Sequence, residues 1–448
     1  MPAAPVLPVV LDRGRRTPLP MQLASRVRSL VLDATLAPGD RIPSSRALAA
    51  ELGVSRAVTT QAYEQLVAEG WLVGRTGAGT FVAGARLPAP PASAPVTEHR
   101  RAAPSVHLDT GTPWTDPRLE AGWRRAWREV AAARPPRGYD DPAGLPELRA
   151  RLATHLSRTR GLSVTRDQVL VTSGTTDAWR ALLAVLPAGA VAVEDPGYRA
   201  AVVAARSSGR LVLDLPATEP VIDLTGVVAV YVTPAHQHPL GATLPAAERV
   251  ALLRAARSAH ALVVEDDYDS EFRYDVAPVP ALAAMDRDRV AYLGTASKAV
   301  APSLRLGWMV APTEVHDAVL ALRAVTHEGP SWPVQRAFAA LLRDGHVDRS
   351  VRSARPVYAR RLARVAAAMA PHARTFGPAA GMYSVWLTDP GAAVAARDAA
   401  RAAGFKLNLL ADYCRTSTWT GLVIGVGSCT DDELTRVLEV VVSALSQG

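Results

Sequence analysis

The fold of this chain is decided by the stretch Val290-Ala291-Tyr292-Leu293-Gly294-Thr295-Ala296-Ser297-Lys298. Lys298 is one of two lysines, although Lys and Arg together occupy 50 positions. An earlier apolar run ends in a second informative stretch, Glu265-Asp266-Asp267-Tyr268-Asp269. Short β-rich runs of this kind alternate with helical stretches from residue 107 onward. The alternation predicts an α/β domain with a mostly parallel sheet and helices on both faces.

The residue types around Lys298 are those that hold pyridoxal 5'-phosphate (PLP). This cofactor needs a lysine amine, a carboxylate at its pyridine nitrogen, a donor to its phenolic oxygen, a ring stacker and a phosphate site. Lys298 would form the Schiff base, Asp266 would pair with the pyridine N–H, and Tyr268 would donate to the phenolic oxygen. Tyr198 is the candidate for stacking on the ring.

A phosphate site is predicted where Ser173-Gly174-Thr175-Thr176 follows a strand and opens a helix. Backbone N–H groups at a helix start bind anions well. Thr295, Ser297 and Arg305 would complete this site. Each signal alone has an ordinary alternative, namely a surface lysine, a solvated acidic loop or a simple helix start. Their order and spacing along the chain favour the cofactor.

The first 84 residues predict a winged helix-turn-helix. A helical pattern follows Pro18-Leu19-Pro20, a second short helix begins near Ser44, and a third begins at Ser55 and ends near Gly70. Alternation from Trp71 to Val82, with glycines at its centre, is typical of a two-stranded wing. Most of the net charge of +8 lies in the first 137 residues, as expected for a nucleic-acid partner. A solvated basic face is the alternative.

The third helix would enter the major groove of double-stranded DNA, with Arg56 approaching guanine and Thr59 and Thr60 reaching bases or phosphates. The start of the second helix would bind a phosphate. The predicted DNA-contacting residues are Arg41, Ser44, Ser45, Arg46, Ser55, Arg56, Thr59, Thr60, Arg75, Thr76 and Gly77. A helical domain that mediates protein contacts is the alternative to a DNA reader.

Residues 85–106 are rich in proline and alanine and predict a semi-extended linker between domains at 1–84 and 107–448. No apolar run is long enough to span a bilayer. The two cysteines, Cys414 and Cys429, fit a reducing compartment. We therefore expect a cytoplasmic protein with no membrane partner and no metal site.

Two successive parts of the chain each resemble a known protein family. Residues 41–82 resemble the GntR superfamily of bacterial regulators through Arg41-Ile42-Pro43-Ser44-Ser45-Arg46, Leu52-Gly53-Val54-Ser55-Arg56 and Gly77-x-Gly79-Thr80-Phe81-Val82. Residues 107–448 resemble fold-type-I aminotransferases. The whole chain is similar to the MocR/GabR-type branch, in which a PLP-dependent aminotransferase-like domain serves as the effector domain rather than as an enzyme.

That resemblance implies a head-to-tail homodimer. Tyr139 would reach the phosphate in the partner subunit, and the winged helix of one chain would lie over the effector domain of the other. His236-Gln237-x-Pro239 would lie beside the cofactor ring, and His238 would stand near the ring oxygen where aminotransferases use asparagine. An ordinary loop histidine is the alternative for His238.

The pattern departs from aminotransferases at Val423, which stands where the arginine that binds the substrate carboxylate is expected. Valine cannot form the bidentate pair that this arginine makes. Arg415 or Arg180 could substitute from elsewhere. We therefore expect PLP itself to be the signal, as in the PdxR-like subgroup, which controls genes for PLP synthesis. The alternatives are a regulator that senses an amine or amino acid through an external aldimine, and a genuine aminotransferase with a vestigial DNA module.

Overall fold

The computed structural model describes residues 7–75, 78–83, 106–221, 223–274, 279–377 and 380–447. The chain divides into two compact units, residues 1–101 (the winged-helix unit) and 102–448 (the effector unit). The predicted linker lies outside the described residues except for Val106, so its boundaries stay a prediction. Within the described ranges, no helix is long and apolar enough to cross a membrane.

The winged-helix unit has the three helices and the two-stranded wing in the predicted order, with one additional short strand. They are α1 (Leu19–Leu32), β1 (Arg41–Ile42), α2 (Ser45–Leu52), α3 (Arg56–Ala68), β2 (Leu72–Arg75) and β3 (Gly79–Val82). The strands form an antiparallel sheet in the order β1-β3-β2. The N-terminus of α2 is capped by Ser44, whose hydroxyl accepts a hydrogen bond from the N–H of Ala47 at 3.2 Å. The short strand β1 was not anticipated, because two residues carry no alternation.

The effector unit is an α/β domain with a smaller C-terminal layer. Its first elements are β4 (Val106–His107), α4 (Glu120–Ala132), α5 (Pro146–Arg160), β5 (Leu170–Thr172), α6 (Thr175–Val185), β6 (Ala190–Asp195), α7 (Arg199–Ser207), β7 (Val212–Pro216) and β8 (Val227–Val232). They are followed by α8 (Ala246–Ala259), β9 (Leu262–Asp267), β10 (Val290–Thr295), β11 (Gly307–Val310), α9 (Thr313–Thr326), α10 (Trp332–Arg343) and α11 (His346–Met369). The last are β12 (Arg374–Phe376), β13 (Tyr383–Leu387), α12 (Pro390–Ala402), β14 (Phe405–Lys406), β15 (Asn408–Leu409), β16 (Gly421–Gly425) and α13 (Asp431–Leu445).

The central sheet has seven strands in the order β5-β11-β10-β9-β8-β6-β7. Strand β11 runs antiparallel to both of its neighbours, and the other neighbouring pairs are parallel. The C-terminal layer contains an antiparallel sheet in the order β12-β13-β16-β15. The prediction of a mostly parallel sheet is therefore confirmed.

The central sheet is covered on both faces. Successive strand residues alternate between two cores, as Val230 packs in one and Tyr231 in the other, and Val263 in one and Val264 in the other. Because side chains along a strand point alternately to opposite faces, each core contains one face of the sheet and its own helices. Strands buried on both faces appear in sequence as the continuous apolar runs noted above.

The site is positioned by the carboxyl ends of the strands. Strands β5, β6, β8, β9 and β10 point the same way, so the residues that follow them meet at one edge of the sheet. In open α/β sheets this edge is where ligands bind. Most of the candidate cofactor residues lie at the ends of these strands or shortly after them.

Candidate functional site

A cavity of about 540 Å³ opens at this edge of the sheet. It is lined by Thr110, Gly111, Thr112, Gly174, Thr175, Thr176, Tyr198, Arg199, Ala200, Thr233, His238, Asp266, Tyr268, Thr295, Ser297, Lys298, Pro302, Arg305 and Tyr413. Most candidate cofactor residues from the sequence line it; the exceptions are Tyr139, Ser173, His236, Gln237 and Pro239. Segments far apart in the chain are therefore brought to one cavity.

Lys298 lies just after β10 with its amine inside the cavity. Its Nζ donates a hydrogen bond to the carbonyl oxygen of Gly111 at 2.7 Å. Burial lowers the pKa of Lys298 below its ordinary value, and the nearby carboxylates of Asp269, Asp109 and Asp266 oppose this shift. A lysine with a lowered pKa spends more time as the neutral amine, which is the form that attacks an aldehyde.

Asp266 lies near the end of β9 and is almost fully buried, at 4% exposure. The hydroxyl of Tyr231 donates to Asp266 Oδ2, while Asp266 Oδ1 is buried without a hydrogen-bond partner among the described residues. Burial raises the pKa of Asp266 to about 7. A buried carboxylate oxygen is costly to leave unpaired. A protonated ring nitrogen in the cavity would supply the missing donor, so the donor set fits PLP.

Tyr268 lies one residue beyond the end of β9, and its ring also faces the cavity. Its hydroxyl donates to the carbonyl oxygen of His236 at 3.0 Å and lies 2.6 Å from the hydroxyl of Tyr383. The hydroxyl has one hydrogen, so donating it to a phenolic oxygen would break the hydrogen bond to the His236 carbonyl. The contact with the Tyr383 hydroxyl could remain. The role of Tyr268 stays a prediction.

His238 forms part of the cavity wall among tyrosine rings. Its ring contacts those of Tyr198, Tyr268 and Tyr413 edge-on, at centroid distances of 5.8, 5.6 and 5.2 Å. Burial lowers the pKa of His238 to about 3, so the ring is neutral at physiological pH. It is therefore not an exposed loop histidine, and a neutral imidazole at this position can donate or accept one hydrogen bond.

The start of α6 also lines the cavity. Gly174 is the N-cap residue and has φ +104°, and a β-carbon there would lie 3.4 Å from the guanidinium of Arg305. Glycine is required because other residues rarely adopt that φ. The hydroxyls of Thr176 and Tyr198 lie 3.2 Å apart. Free helix N–H groups and a guanidinium together make a site for a phosphate.

Tyr139 does not line the cofactor cavity of its own chain. Its ring is 81% exposed and stacks on that of His327 at a centroid distance of 3.9 Å. It lines a separate cavity of about 230 Å³. Within one chain it does not join the cofactor residues, and its role toward a partner subunit stays a prediction.

The two suggested replacements for the missing carboxylate anchor do not line the cavity. Val423 is fully buried in β16, where it pairs with Val385 and Asn408. The guanidinium of Arg415 pairs with Asp214 and donates to two carbonyls of β6. Arg180 is exposed on α6. The suggestion that Arg415 or Arg180 substitutes is therefore wrong for the described cavity.

The predicted DNA-contacting residues surround the starts of α2 and α3 and the wing. Exposed among them are Arg41, Ser44, Arg46, Ser55, Arg56 and Arg75, while Ser45 and Thr60 are partly buried. Thr76 and Gly77 lie outside the described residues. Ser55 precedes α3 as expected, although its side chain makes no capping hydrogen bond.

The prediction that Thr59 contacts DNA is wrong. It is fully buried, and its hydroxyl donates to the carbonyl oxygens of Ser45 at 2.7 Å and Arg56 at 3.0 Å. It therefore ties α2 to α3 and cannot reach a base or a phosphate. The helical spacing that places Thr59 one turn after Arg56 gave no sign of this, because burial depends on the helix packed against it.

Three contacts at the cofactor site were missed by sequence reasoning. They are the Gly111 carbonyl that accepts from Lys298, the Tyr231 hydroxyl that donates to Asp266, and the pair formed by His236 Nδ1 and Asp269 Oδ2 at 2.7 Å. Only Asp269, which closely follows β9, carried a signal in the sequence, because it is a polar residue just after a strand. Within the described residues, no cluster of His, Cys, Asp and Glu could hold a metal ion.

Two family models match the chain. The model for aminotransferase class I and II covers residues 106–441, and the model for bacterial regulatory proteins of the gntR family covers residues 20–82. Together they account for both compact units.

Curated relatives share this arrangement over long stretches. The pyridoxine biosynthesis transcriptional regulator PdxR of Corynebacterium glutamicum is 35% identical over 99% of both chains. The probable rhizopine catabolism regulatory protein MocR of Rhizobium meliloti is 32% identical over 79% of this chain and 77% of its own. The regulator TauR of Rhodobacter capsulatus is 32% identical over 87% and 88%.

Solved structures show the fold of the effector unit. An archaeal alanine:glyoxylate aminotransferase matches with a TM-score of 0.69 at 22% identity, covering 78% of this chain and 92% of its own. The kynurenine aminotransferase of Pyrococcus horikoshii matches with a TM-score of 0.67 at 22% identity, covering 77% and 91%. The effector unit therefore has the fold-type-I aminotransferase architecture, the fold of PLP enzymes.

Proposed function

Because the chain belongs to the MocR-type branch of the GntR regulators, we propose that it is a PLP-dependent transcriptional regulator whose signal is PLP itself. It binds promoter DNA as a homodimer and controls genes for PLP synthesis. The name of its Corynebacterium relative, a pyridoxine biosynthesis regulator, supports this choice.

The observation that carries the proposal is a cavity whose residues fit the cofactor, while the usual position of the amino-acid carboxylate anchor holds no arginine. Asp266 has a buried oxygen without a partner among the described residues, and the pKa of Lys298 is lowered. Val423, which the resemblance places at the usual anchor, is fully buried in β16. When bound, PLP supplies an aldehyde for a lysine amine and a ring that accepts electrons. Lys298 and Asp266 would hold that group.

The protein's own residues divide the work at the site. Lys298 holds the group covalently, Asp266 orients the ring through its nitrogen, and Arg305 with the start of α6 holds the phosphate. Neutral His238 and the surrounding tyrosines exclude water from one side. Occupancy of this site then biases the arrangement of the DNA-binding heads, since a ligand shifts a two-state equilibrium only by its differential affinity.

The test is DNA binding by PLP-free protein with PLP titrated in. The DNA is the segment upstream of the protein's own gene, and the control is the Lys298→Ala variant. We expect PLP to change the affinity or the footprint of the wild-type protein and to have little effect on the variant. Equal affinity with and without PLP, on protein that demonstrably holds PLP, would rule out PLP as the signal.

A second candidate is a regulator that senses an acidic amino compound. Arg199 favours it, since this exposed residue lines the cavity and has no ion-pair partner among the described residues. Amino acids titrated into PLP-loaded protein would then shift its visible absorbance, and Arg199→Ala would weaken the response. No shift with any amino acid would leave PLP as the signal.

An enzyme of ordinary turnover is the remaining possibility for this fold. The intact Lys298, Asp266 and Tyr268 permit half-reaction chemistry. We propose a sensor, because the carboxylate anchor is absent at Val423. Sustained turnover of an amino acid with a keto acid, over many cycles per protein molecule, would contradict that.

We also propose that Tyr139 completes the phosphate site of the partner subunit. Its exposed ring lies outside the cavity of its own chain, so only another chain can use it there. Mixing Tyr139→Phe with Lys298→Ala protein tests this. Mixed dimers should contain one site with both native residues, and weakened PLP binding in every dimer would contradict the arrangement.

A further inference from the structure

The chain before α1 is built onto the winged-helix core. We call residues 7–17 the N-terminal arm. Leu7 and Val9 are 2% and 7% exposed and pack in the same core as Leu23 and Leu48. Burial of two apolar side chains holds the arm against the unit. The gntR family model begins at residue 20, so the arm lies outside the module that the family shares.

The part of the arm nearest α1 is a turn closed at both ends by one side chain. Gln22 on α1 accepts from the N–H of Asp12 at 2.9 Å and donates to the carbonyls of Asp12 at 2.9 Å and Thr17 at 2.7 Å. Within the turn, Asp12 accepts from the N–H of Gly14 at 2.8 Å. The turn between residues 12 and 17 therefore has a defined shape.

This turn is fastened to the helix-turn-helix. Arg13 Nη2 donates to the carbonyl oxygen of Gly53 at 2.7 Å. Gly53 has φ +62° and is the C-cap residue of α2, so it stands in the loop that leads to α3. Arg56, the first residue of α3, is three positions further on. The arm is thus attached beside the start of the predicted recognition helix.

The arm carries two further arginines without strong partners. Arg15 lies 3.5 Å from Asp12, and both side chains are more than half exposed, so this pair contributes little. Arg16 is exposed and has no ion-pair partner in the part of the chain that the structure describes. Exposed guanidinium groups held at a helix-turn-helix are suited to phosphates of the DNA backbone.

We propose that the N-terminal arm is an additional DNA-binding element. Arg15 and Arg16 contact backbone phosphates beside the groove that α3 enters, and Arg13 is a positioning residue that holds them there. The inference rests on the proposed DNA binding. Arg16 is three residues after Arg13, so at most roughly 11 Å of backbone separates it from the attachment point at Gly53. The major groove is about 12 Å wide. Arginines fastened beside Gly53 can therefore reach the phosphates that flank the groove.

The test measures affinity of the full-length protein for its promoter DNA over a range of salt concentrations. In the double variant Arg15→Ala/Arg16→Ala, affinity should fall on every DNA sequence, and the slope of log affinity against log salt should become shallower by about one to two. The matched control is Arg206→Ala/Arg254→Ala, which removes two exposed arginines of α7 and α8. Its slope should equal that of the wild type.

A second variant separates positioning from charge. Gln22→Leu leaves every arginine in place but opens both ends of the turn, and it should lower affinity while the midpoint of thermal unfolding stays above the assay temperature. An unchanged salt slope and affinity in Arg15→Ala/Arg16→Ala would overturn the arm proposal. If Arg56→Ala still weakens binding, only the arm fails; if neither variant matters, the proposed DNA binding fails with it.

Discussion

In the cofactor cavity Asp266 is buried and Lys298 is partly buried, and both have hydrogen-bonding neighbours, whereas on the DNA-facing surface Arg46 and Arg56 are exposed. Burial shifts the pKa of both cavity groups, because the cost of removing a charge from water must be met locally. The surface arginines keep their hydration and need no partner in the protein.

The difference teaches how each site can be interpreted. In the cavity, the role of a residue follows from a hydrogen-bond partner that the protein does not supply, as with the unpaired Asp266 Oδ1. On the surface, water can satisfy every polar group, so no unpaired atom points to a ligand. The role of Arg56 therefore follows from its position at the start of α3 and not from its contacts. Thr59 marks the boundary between the two cases, since it lies in the recognition helix but is fully buried.

The largest expected effect is on covalent cofactor attachment. Lys298→Ala should abolish the visible absorbance of lysine-linked PLP, because its amine is the one that lies in the cavity. The variant should still fold, since Nζ makes a single described hydrogen bond, to Gly111. Lys406, exposed in β14, is the other lysine of the chain. Lys406→Ala is the matched control and should keep the absorbance; loss in both variants would contradict the assignment.

Asp266→Asn should change how stability depends on pH in PLP-free protein. The pKa of Asp266 is raised to about 7, so its stabilising protonated form is present at low pH and is lost as pH rises toward 7. Asparagine does not titrate. Relative to the wild type, the variant should therefore gain about 3 kcal/mol between pH 5 and pH 8, because the difference grows by about 1.4 kcal/mol per pH unit up to about pH 7 and then stays constant.

The measurement for Asp266→Asn is denaturant unfolding of both proteins at the two pH values. Glu194 and Glu265 also have a pKa raised to about 7, chiefly by burial. Both are present in both proteins, so Glu265 cancels in the comparison, whereas Glu194 cancels only in part because the charge of Asp266 also raises its pKa. A constant difference between the proteins would show that Asp266 is ionised throughout. PLP affinity should also fall in the variant, because the ring nitrogen loses its carboxylate.

Arg56→Ala tests the surface side of the comparison. Loss of a bidentate contact to a base should cost about 1–3 kcal/mol of DNA binding and relax sequence preference at one position. Competition binding on promoter DNA with single base changes measures this. Arg26→Ala, an exposed arginine of α1, is the control. Equal loss on all DNA sequences would make Arg56 a phosphate contact instead.

The smallest expected effect separates Thr59 from its neighbour. Thr59→Val removes a hydroxyl that donates to two carbonyls, so the winged-helix unit should lose about 1–2 kcal/mol of stability with DNA sequence preference unchanged. Thr60→Val should have the smaller effect on stability. Thermal unfolding and DNA competition distinguish the two, and altered base preference in Thr59→Val would return that residue to the interface.

Sequence reasoning reached the fold and most of the cofactor cavity. The parallel-sheet runs, the order of elements in the winged helix and the residues after β5, β9 and β10 follow from local patterns. They could be predicted because strand and helix periodicity depends on near neighbours in the chain, and because the carboxyl ends of parallel strands share one edge.

What the sequence by itself determined is therefore the architecture, the family and the set of residues that meet in the cavity. Only the tertiary structure decided that Thr59 is buried, that Arg415 is paired with Asp214, and that Tyr231 supports Asp266. These contacts join segments far apart in the chain. The partner of a polar side chain is fixed by which elements pack together, and no local pattern encodes it.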